Sequence, residues 1–230
     1  MVTELPELRD CSPVFRDRRH AGEVLAGMLR DALPAGARIL AIPAGGVPVA
    51  ASLARALSLP LDVAVVSKIT PSWNSEVGYG AVAFDGRVRV DAAARVRLGV
   101  GEREAERDAE RAAAKVRRRV GLLRAGQGPL LAPGDTVVLV DDGLASGLTM
   151  ETAVQAVRDA GAGRVIVAVP TGSAAAVERL AAAADEVACA NVRGGRVFAV
   201  ADAYERWSDV EEGSLPGLLR DGRRSYASEP

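Results

Sequence analysis

Residues 137–149 read VVLVDDGLASGLT, and this stretch decides the fold. A β-branched run predicts a buried strand, two adjacent acids follow it, and a turn of small residues leads into a predicted helix. Open parallel sheets bind their ligands beyond the carboxyl ends of the strands, so Asp141 and Asp142 stand where such a ligand would be met. The stretch therefore predicts both a strand-turn-helix unit and the position of its site.

Outside this stretch, short β-branched runs alternate with longer Ala- and Arg-rich segments, a pattern typical of β-α-β units on a parallel sheet. The predicted strands are residues 38–43, 61–68, 136–140, 164–169 and, as a fifth candidate, 186–190. The predicted crossover helices are residues 47–58, 149–160 and 174–183. We therefore expect an α/β fold in which helices flank a Rossmann-like parallel sheet.

Two segments break this alternation. Residues 80–91 place Asp85-Gly86 between alternating residues, which predicts a β-hairpin whose type I′ turn has positive φ at both positions. Residues 102–119 predict a long charged helix, whose basic residues at spacing four pair with interleaved acids and face solvent. Its more cationic end, Lys115 with residues 117–119, is able to face an anionic ligand instead.

Composition excludes several classes of protein. The 29 Lys and Arg residues against 30 Asp and Glu give a net charge of −1, and 49% hydrophobic residues place the chain in the globular range. Disorder is disfavoured, and so is a nucleic-acid partner, because 3% aromatic residues and a neutral charge balance offer little for binding one. No apolar window is long enough for a membrane span, so no membrane partner is expected. Cys11 and Cys189 form no metal or redox motif, and without a signal peptide the expected location is the cytoplasm.

The turn after the acid pair predicts a phosphate cradle. It can present successive backbone N–H groups and the hydroxyls of Ser146 and Thr149 at the positive end of a helix. Asp141 and Asp142 would repel a phosphate placed against them, so their natural partners are sugar hydroxyls or a Mg²⁺-bound sugar. The indicated ligand is a phosphorylated ribose. Taken alone, the two acids are equally consistent with turn or helix-capping residues.

Residues 137–149 resemble the phosphoribosyl diphosphate (PRPP) motif of the type I phosphoribosyltransferases. The strand, the two acids, the small and hydroxyl residues, the glycine and the threonine all fall in register. Gly143 and Leu148 depart from the motif, since many members carry an aliphatic residue and an alanine there. Further stretches are similar to a group of bacterial and archaeal proteins assigned to this family, and together they cover most of residues 15–212. These stretches are FRDRRHAGEVLAGML, IPAGGVPVAASLARAL, NSEVGYGAVAFDG and residues 198–209.

The resemblance implies the type I phosphoribosyltransferase fold, with a small hood over the site and the hairpin as an extension. We expect residues 1–230 to form one domain with its core at about residues 35–190. The hood would come from residues 12–34 and 191–215, and residues 220–230 would be a tail.

The resemblance also assigns the ribose 5-phosphate site. Asp141 and Asp142 would bind the 2′- and 3′-hydroxyls of the ribose and, through these or through water, Mg²⁺. The 5-phosphate would lie on Ala145, Ser146, Gly147, Leu148 and Thr149.

The diphosphate would lie on a loop at residues 43–46, against Ala44, Gly45 and Gly46, where an unusual peptide geometry is common in the family. Relatives typically carry arginine at position 44, so one expected contact is missing. Lys68, on the same rim, is predicted to supply that charge. The expected catalytic residues are Asp141, Asp142 and Lys68.

For this family, the implied reaction transfers the phosphoribosyl group of Mg-PRPP to a nitrogen nucleophile, such as a nucleobase, and releases diphosphate. The transition state is oxocarbenium-like, so a cover that excludes water is expected. Residues 71–80 are the candidate lid, with Trp73 and Tyr79 as shields, and residues 14–20 and 204–208 would read the acceptor. No role is assigned to His20, Asn74, Glu76 or Cys189.

Two alternatives stay open on the sequence. A regulator that senses PRPP or nucleotides would keep the fold and bind nucleic acid through residues 115–119 or through Arg87 and Arg89. A nucleotide phosphorylase or hydrolase would use the same acids and cradle for reversed chemistry. A homodimer is plausible for a small α/β enzyme, although no surface is indicated.

Overall fold

The computed structural model describes residues 1–75, 77–195 and 199–227, with side chains up to residue 223. Glu76 and Phe198, both named in the sequence interpretation, lie outside the described residues. The strands are β1 (Val2–Thr3), β2 (Arg38–Ala41), β3 (Leu61–Val63), β4 (Val66–Ile69), β5 (Gly80–Ala83), β6 (Val88–Val90), β7 (Thr136–Val140), β8 (Arg164–Ser173) and β9 (Glu186–Arg193). The helices are α1 (Arg18–Leu29), α2 (Gly46–Leu57), α3 (Ala92–Arg97), α4 (Glu102–Leu123), α5 (Leu148–Asp159), α6 (Ala174–Ala181) and α7 (Leu215–Ala227).

The predicted α/β fold is confirmed. Six strands form one sheet in the order β1-β9-β8-β7-β2-β3, and every pair in it is parallel. The three predicted crossover helices are α2, α5 and α6, each within two residues of the expected ends. The side chains of β7 alternate between two cores, so that Val138 and Val140 pack with α1 and α2, whereas Val137 and Leu139 pack with α5 and α6. Helices thus cover both faces of the sheet, and β7 lies at its centre.

The prediction of one strand over residues 61–68 is wrong. β3 pairs with β2 in the central sheet, but at Ala64 and Val65 the chain leaves that sheet, and β4 pairs antiparallel with β5. A continuous apolar run reads as one buried strand, because hydrophobicity alone does not distinguish which sheet buries each part. Lys68 therefore lies on the small three-stranded sheet β4-β5-β6 rather than at the end of a central strand.

The predicted hairpin is confirmed as β5 and β6, but its turn is not type I′. Gly86 has φ +85°, whereas Asp85 does not have a positive φ. The N–H of Gly86 donates to the Ala83 carbonyl at 2.9 Å, and the N–H of Ala83 donates to the Arg87 carbonyl at 2.9 Å. This pattern is a three-residue loop that ends in a left-handed glycine, an alternative hairpin connection that also favours Asp-Gly.

β8 and β9 continue beyond their predicted ends. Pro170 and Gly172 indicate a turn after residue 169, yet the parallel pairing runs on from Thr171 with Asn191 to Ser173 with Arg193. The Thr171 hydroxyl donates to the Asn191 side-chain oxygen at 2.7 Å. This extension brings Gly172 beside Leu144, so the end of β8 supports the turn that follows the acid pair.

The long charged helix α4 runs four residues beyond its predicted end at Arg119. One of its faces is buried, through Ala112, Val116 and Leu123, so only part of the helix is a solvated surface. α1, in the segment assigned to the hood, packs on α2 and on the sheet at β8 and β9. None of the described helices is long and apolar enough to cross a membrane.

Candidate active site

The acid pair follows β7 directly and is held in place by Arg18 and Tyr204, which lie in the two segments predicted to form the hood. The N–H of Asp142 donates to Asp141 Oδ1 at 2.9 Å, and the Tyr204 hydroxyl donates to the Asp142 carbonyl at 2.6 Å. Arg18 Nε forms an ion pair with Asp142 Oδ2 at 2.9 Å, and both side chains are largely buried. The structure thus ties one acid of the pair to the first turn of α1.

The two acids differ in their electrostatic surroundings. Burial, together with the neighbouring Asp142 carboxylate, raises the pKa of Asp141 well above its usual value, while Lys68 acts in the opposite direction. Asp142 has Arg18 as a direct counter-ion. Asp141 is therefore the acid whose ionised form most needs a cation or a hydrogen-bond donor from a ligand.

The predicted phosphate turn is built by α5 and by neighbouring strands. Gly147, at φ +77°, is the N-terminal cap of α5, a conformation that strongly favours glycine. The Ser173 hydroxyl donates to the Ala145 carbonyl at 2.9 Å, and Arg179 Nη1 donates to the Ser146 carbonyl at 3.1 Å. Two carbonyl oxygens of the turn thus accept hydrogen bonds from the protein, which reduces their repulsion of an anion bound at the turn.

The predicted diphosphate loop lies against the acid pair. The peptide between Pro43 and Ala44 is cis, in line with the unusual geometry expected there. A side chain at Gly45 would collide with the Asp142 carboxylate, and a Cβ at Gly46 would lie 2.5 Å from the Val140 carbonyl. Both glycines are required because the loop approaches the end of β7 so closely.

These parts line one cavity of about 550 Å³. It brings together the diphosphate loop, the acid pair, the phosphate turn, Lys68 and Trp207. Its lining includes every predicted site residue except Gly46 and Leu148, and it contains Ala44, Gly45, Lys68, Asp141, Asp142, Ala145, Ser146, Gly147 and Thr149. Leu148 lines an adjoining cavity of about 280 Å³, again with Lys68. Lys68 is therefore brought to the site, although it comes from β4.

Arg18 makes two contacts, with Trp207 and Ser208, that the sequence did not predict. The Arg18 guanidinium stacks on Trp207, with Cζ 3.8 Å from the ring centroid, and its Nη1 donates to the Ser208 carbonyl at 2.7 Å. Arg16 and Arg19 instead pair with Glu23 on α1, so Arg18 is the one of these three neighbouring arginines that pairs with the acid pair. Clustered arginines at 16–19 were visible in the sequence, but their separate partners were not.

Tyr79 does not shield the site. It is fully buried and its hydroxyl donates to Asp108 at 2.7 Å, so it is a core residue that joins β4 and β5 to α4. Trp73, in the candidate lid, has 60% of its surface exposed. Of the two aromatic residues predicted to shield the site, Trp73 is therefore the exposed one.

Other residues named from the sequence contact groups within the protein or are buried. His20 Nδ1 accepts from the Arg16 N–H at 3.2 Å. Burial raises the pKa of the Cys189 thiol to about 12, so this buried cysteine is a poor nucleophile. Arg87 forms ion pairs with Asp85 and Asp159, and Arg89 pairs with Glu151 at 2.7 Å. The hairpin arginines are thus engaged within the protein.

The residues present fit an indirectly held Mg²⁺. Among the described residues, no group of three or more histidine, cysteine, aspartate or glutamate side chains is arranged to hold a metal. Mg²⁺ usually keeps several waters and binds one or two carboxylates together with substrate phosphates. Asp141 and Asp142, side by side in the wall of the cavity of about 550 Å³, allow this kind of binding. Asp141, with its raised pKa, is the carboxylate that such a cation would stabilise in the ionised form.

Comparisons with known proteins agree with this geometry. A family model described as a phosphoribosyl transferase domain matches residues 37–202. Two proteins of Mycobacterium tuberculosis, from strains CDC 1551 and H37Rv, are provisionally named phosphoribosyl transferases and are each 35% identical over 217 residues. The match covers 93% of this chain and 48% of theirs, so the chain spans about half the length of these relatives. The crystal structure of TT1426 from Thermus thermophilus is 38% identical, with a TM-score of 0.72, over 90% of this chain and 97% of that one.

Proposed function

Because the chain belongs to the phosphoribosyl transferase domain family, we propose that it is an enzyme that binds PRPP with Mg²⁺ and transfers the 5-phosphoribosyl group to a nitrogen nucleophile. The observation that carries this proposal is the cavity of about 550 Å³ that joins the acid pair, the phosphate turn and the diphosphate loop. Each chemical part of PRPP would meet one of these three elements within that cavity. A sugar diol fits the carboxylates, and a phosphate fits the turn at the start of α5.

The proposed ribose site shares Asp142 with Arg18. The ribose hydroxyls would donate to Asp141 and Asp142, and Arg18 pairs with Oδ2 of the Asp142 carboxylate. The hydroxyls therefore share or replace that ion pair, and Arg18 remains within reach of Trp207 and the Ser208 carbonyl. A ligand at this position is thus coupled to the hood.

The chemical step requires electrostatic stabilisation rather than a nucleophile from the protein. The bond between the anomeric carbon and the diphosphate breaks, the diphosphate leaves with the bonding electrons, and positive charge develops on the ribose. The acceptor nitrogen then supplies the electron pair of the new bond to that carbon and loses its proton to the released diphosphate or to water. Asp141 and Asp142 lie beside that charge, while Lys68 faces the departing anion. A preorganised group of this kind contributes about 3–4 kcal/mol to the stability of a transition state. Mg²⁺, held through water or ligand oxygens by the two acids, would supply further charge neutralisation on the diphosphate.

The acceptor would approach from the hood. A cavity of about 770 Å³ lies between the start of α1 and residues 205–211, with Arg18 and Trp207 in its wall. It combines an aromatic ring with side chains of both charges, a mixture suited to a polar nitrogen heterocycle such as a nucleobase. Residues 71–80 would cover the site during turnover and exclude water from the reactive ribose.

The test is a calorimetric titration of the protein with PRPP, with and without Mg²⁺. We expect Mg²⁺-dependent binding that the double variant Asp141→Asn/Asp142→Asn loses and that the control Glu178→Gln, an exposed acid on α6, retains. Diphosphate release is then measured with a panel of nucleobases and other nitrogen nucleophiles. Binding of a nucleoside monophosphate without any binding of PRPP would instead favour a phosphorylase or hydrolase that uses the same cavity.

A further inference from the structure

A second cavity, of about 410 Å³, adjoins the acid pair on the side of α4. It shares Lys68, Asp141 and Thr149 with the first cavity, so a single ligand is able to extend from one into the other. Along α4, residues at spacings of three and four turn their side chains towards it. These residues are Asp108, Arg111, Lys115 and Arg119, with Ala112 between them.

Cationic side chains in this cavity outnumber acidic ones. Lys68, Arg111, Lys115 and Arg119 line it, against the carboxylates of Asp108 and Asp141. Arg111 and Arg119 each form an ion pair with an acid of the protein, and Lys68 and Lys115 add further positive charge to the cavity. An excess of cations around one cavity favours an anionic ligand.

Arg111 is held by the buried Asp108. Its Nη2 lies 2.5 Å from Asp108 Oδ1, and Asp108 also accepts the Tyr79 hydroxyl at 2.7 Å. Asp108 is only 2% exposed, so its negative charge is committed to these two donors. Arg111 is therefore largely neutralised and contributes shape more than net charge.

Arg119 lies against the diphosphate loop. Its Nε pairs with Glu212 at 2.8 Å, its Nη1 donates to the Pro43 carbonyl at 3.5 Å, and its side chain is 12% exposed. Pro43 directly precedes Ala44, the loop position that carries no charge. α4 thus places a guanidinium beside a loop whose own side chains are uncharged.

Lys115 is one turn before Arg119 on the same face of α4. Desolvation lowers the pKa of Lys115, and Arg119, Arg118 and Lys68 lower it further, whereas Glu212 acts in the opposite direction. The ammonium is therefore held among other cations without full compensation. A bound polyanion would relieve this repulsion.

We propose that Lys115 and Arg119 of α4, together with Lys68, bind the diphosphate group of PRPP in this second cavity. The inference rests on the proposed function and adds a helix to the diphosphate site. It explains how the chain neutralises a diphosphate with Ala44 in the loop. It also gives a role to Lys115 and Arg119, the two basic residues near the end of α4 that line the cavity.

The experiment compares three ligands on matched variants at one ionic strength. Mg-PRPP, inorganic diphosphate and ribose 5-phosphate are titrated by calorimetry into wild type, Lys115→Ala, Arg119→Ala and the control Arg117→Ala. Arg117 is exposed on α4 and does not line the cavity, so its removal changes net charge equally without touching the site. Thermal unfolding of each variant is recorded, because Arg119→Ala also removes the ion pair with Glu212 and could lower stability. Lys115→Ala removes an exposed side chain and keeps the test valid in that case.

We expect Lys115→Ala and Arg119→Ala each to weaken Mg-PRPP and diphosphate about tenfold, as the loss of one charge-assisted hydrogen bond implies. Ribose 5-phosphate affinity should stay within about twofold in both, and Arg117→Ala should resemble wild type for all three ligands. Wild-type affinity for Mg-PRPP in both α4 variants would overturn the inference and leave the proposed function standing. Equal weakening of ribose 5-phosphate would also overturn it, since the effect would not be specific to the diphosphate. If the wild type bound ribose 5-phosphate but no PRPP, both proposals would be rejected.

Discussion

Replacement of Gly143 by alanine tests how closely Val200 packs beside the acid pair. A Cβ at this position would lie 2.5 Å from Val200 Cγ1, 2.8 Å from Val200 Cγ2 and 3.1 Å from Thr171 Cγ2. The first of these distances is 0.9 Å shorter than the 3.4 Å at which ordinary contacts begin. Gly143 does not have a positive φ, so the cost of alanine comes from these contacts and not from the backbone. We expect Gly143→Ala to lower the free energy of unfolding by about 1–3 kcal/mol, the usual cost of overpacking.

The partner substitution shows whether Val200 is the cause. Val200→Ala removes both methyl groups that the new Cβ meets, and since Val200 is half-buried it should cost about 0.5–1.5 kcal/mol by itself. The double variant should be more stable than the sum of the two single effects predicts, by about 1 kcal/mol or more. Val200 opens the short helical turn that ends at Ala203, and the next residue, Tyr204, donates to the Asp142 carbonyl at 2.6 Å. PRPP affinity should therefore fall in Gly143→Ala and recover in the double variant.

Urea denaturation followed by circular dichroism measures the four corners of this cycle. In a chain of this size, each 1 kcal/mol corresponds to a shift in Tm of roughly 2–4 °C. Gly27→Ala is the control, because a Cβ at this exposed position of α1 meets nothing within 4 Å. That control should be neutral or stabilising by up to about 1 kcal/mol, as expected for alanine in a helix. Strictly additive effects, or a Gly143→Ala protein as stable as wild type, would refute the packing argument.

Three further predictions concern stability. Asp141→Asn should raise the free energy of unfolding at pH 7 by about 1 kcal/mol or more, because each unit of raised pKa in the folded state corresponds to about 1.4 kcal/mol. This gain in stability should vanish below pH 3.8, where the wild-type carboxyl is protonated in both the folded and the unfolded state. Denaturation at both pH values checks this. Tyr79→Phe removes a donor to the buried Asp108 and should lower stability by about 1–2 kcal/mol in urea titration, and an unchanged midpoint would contradict the hydrogen bond. The N–H of Val165 lowers the pKa of Asp185, so the contribution of this carboxylate is present above pH 3.8 and is lost as the pH falls through its lower folded value. Asp185→Asn should therefore cost about 0.5–1 kcal/mol at pH 7, with screening keeping it small, and the difference from wild type should disappear in acid denaturation.

Much of the central fold follows from local patterns. The run 136–140 becomes β7 with the same bounds, and three crossover helices lie within two residues of their expected ends. These elements are encoded by hydrophobic period and by residues at their ends, which act over a few positions. The run 61–68 fails for the same reason, since both parts are apolar and the change of sheet at Ala64 depends on partners far along the chain.

Side-chain roles were harder to predict than elements. Tyr79 was interpreted as a shield from its place in a candidate lid, yet Asp108, 29 residues away, draws its hydroxyl into the core. Arg18 stood out only as one of several arginines, and its ion pair with Asp142 spans 124 residues. Neither partner follows from spacing, because each depends on how α1 and α4 pack on the sheet.

The sequence alone determined the order of strand, acid pair, glycine turn and helix at residues 137–149, because that order is a property of consecutive residues. It also determined that both faces of the sheet would be covered, because strand runs such as residues 137–140 are apolar on consecutive residues. Only the tertiary structure decided which distant groups meet at that edge: Lys68 from the small sheet, Arg18 from α1 and Arg119 from α4. Local periodicity specifies whether a segment forms a helix or a strand. The partners of its charged side chains depend on long-range packing, because burial of one helix face determines where the opposite, charged face points.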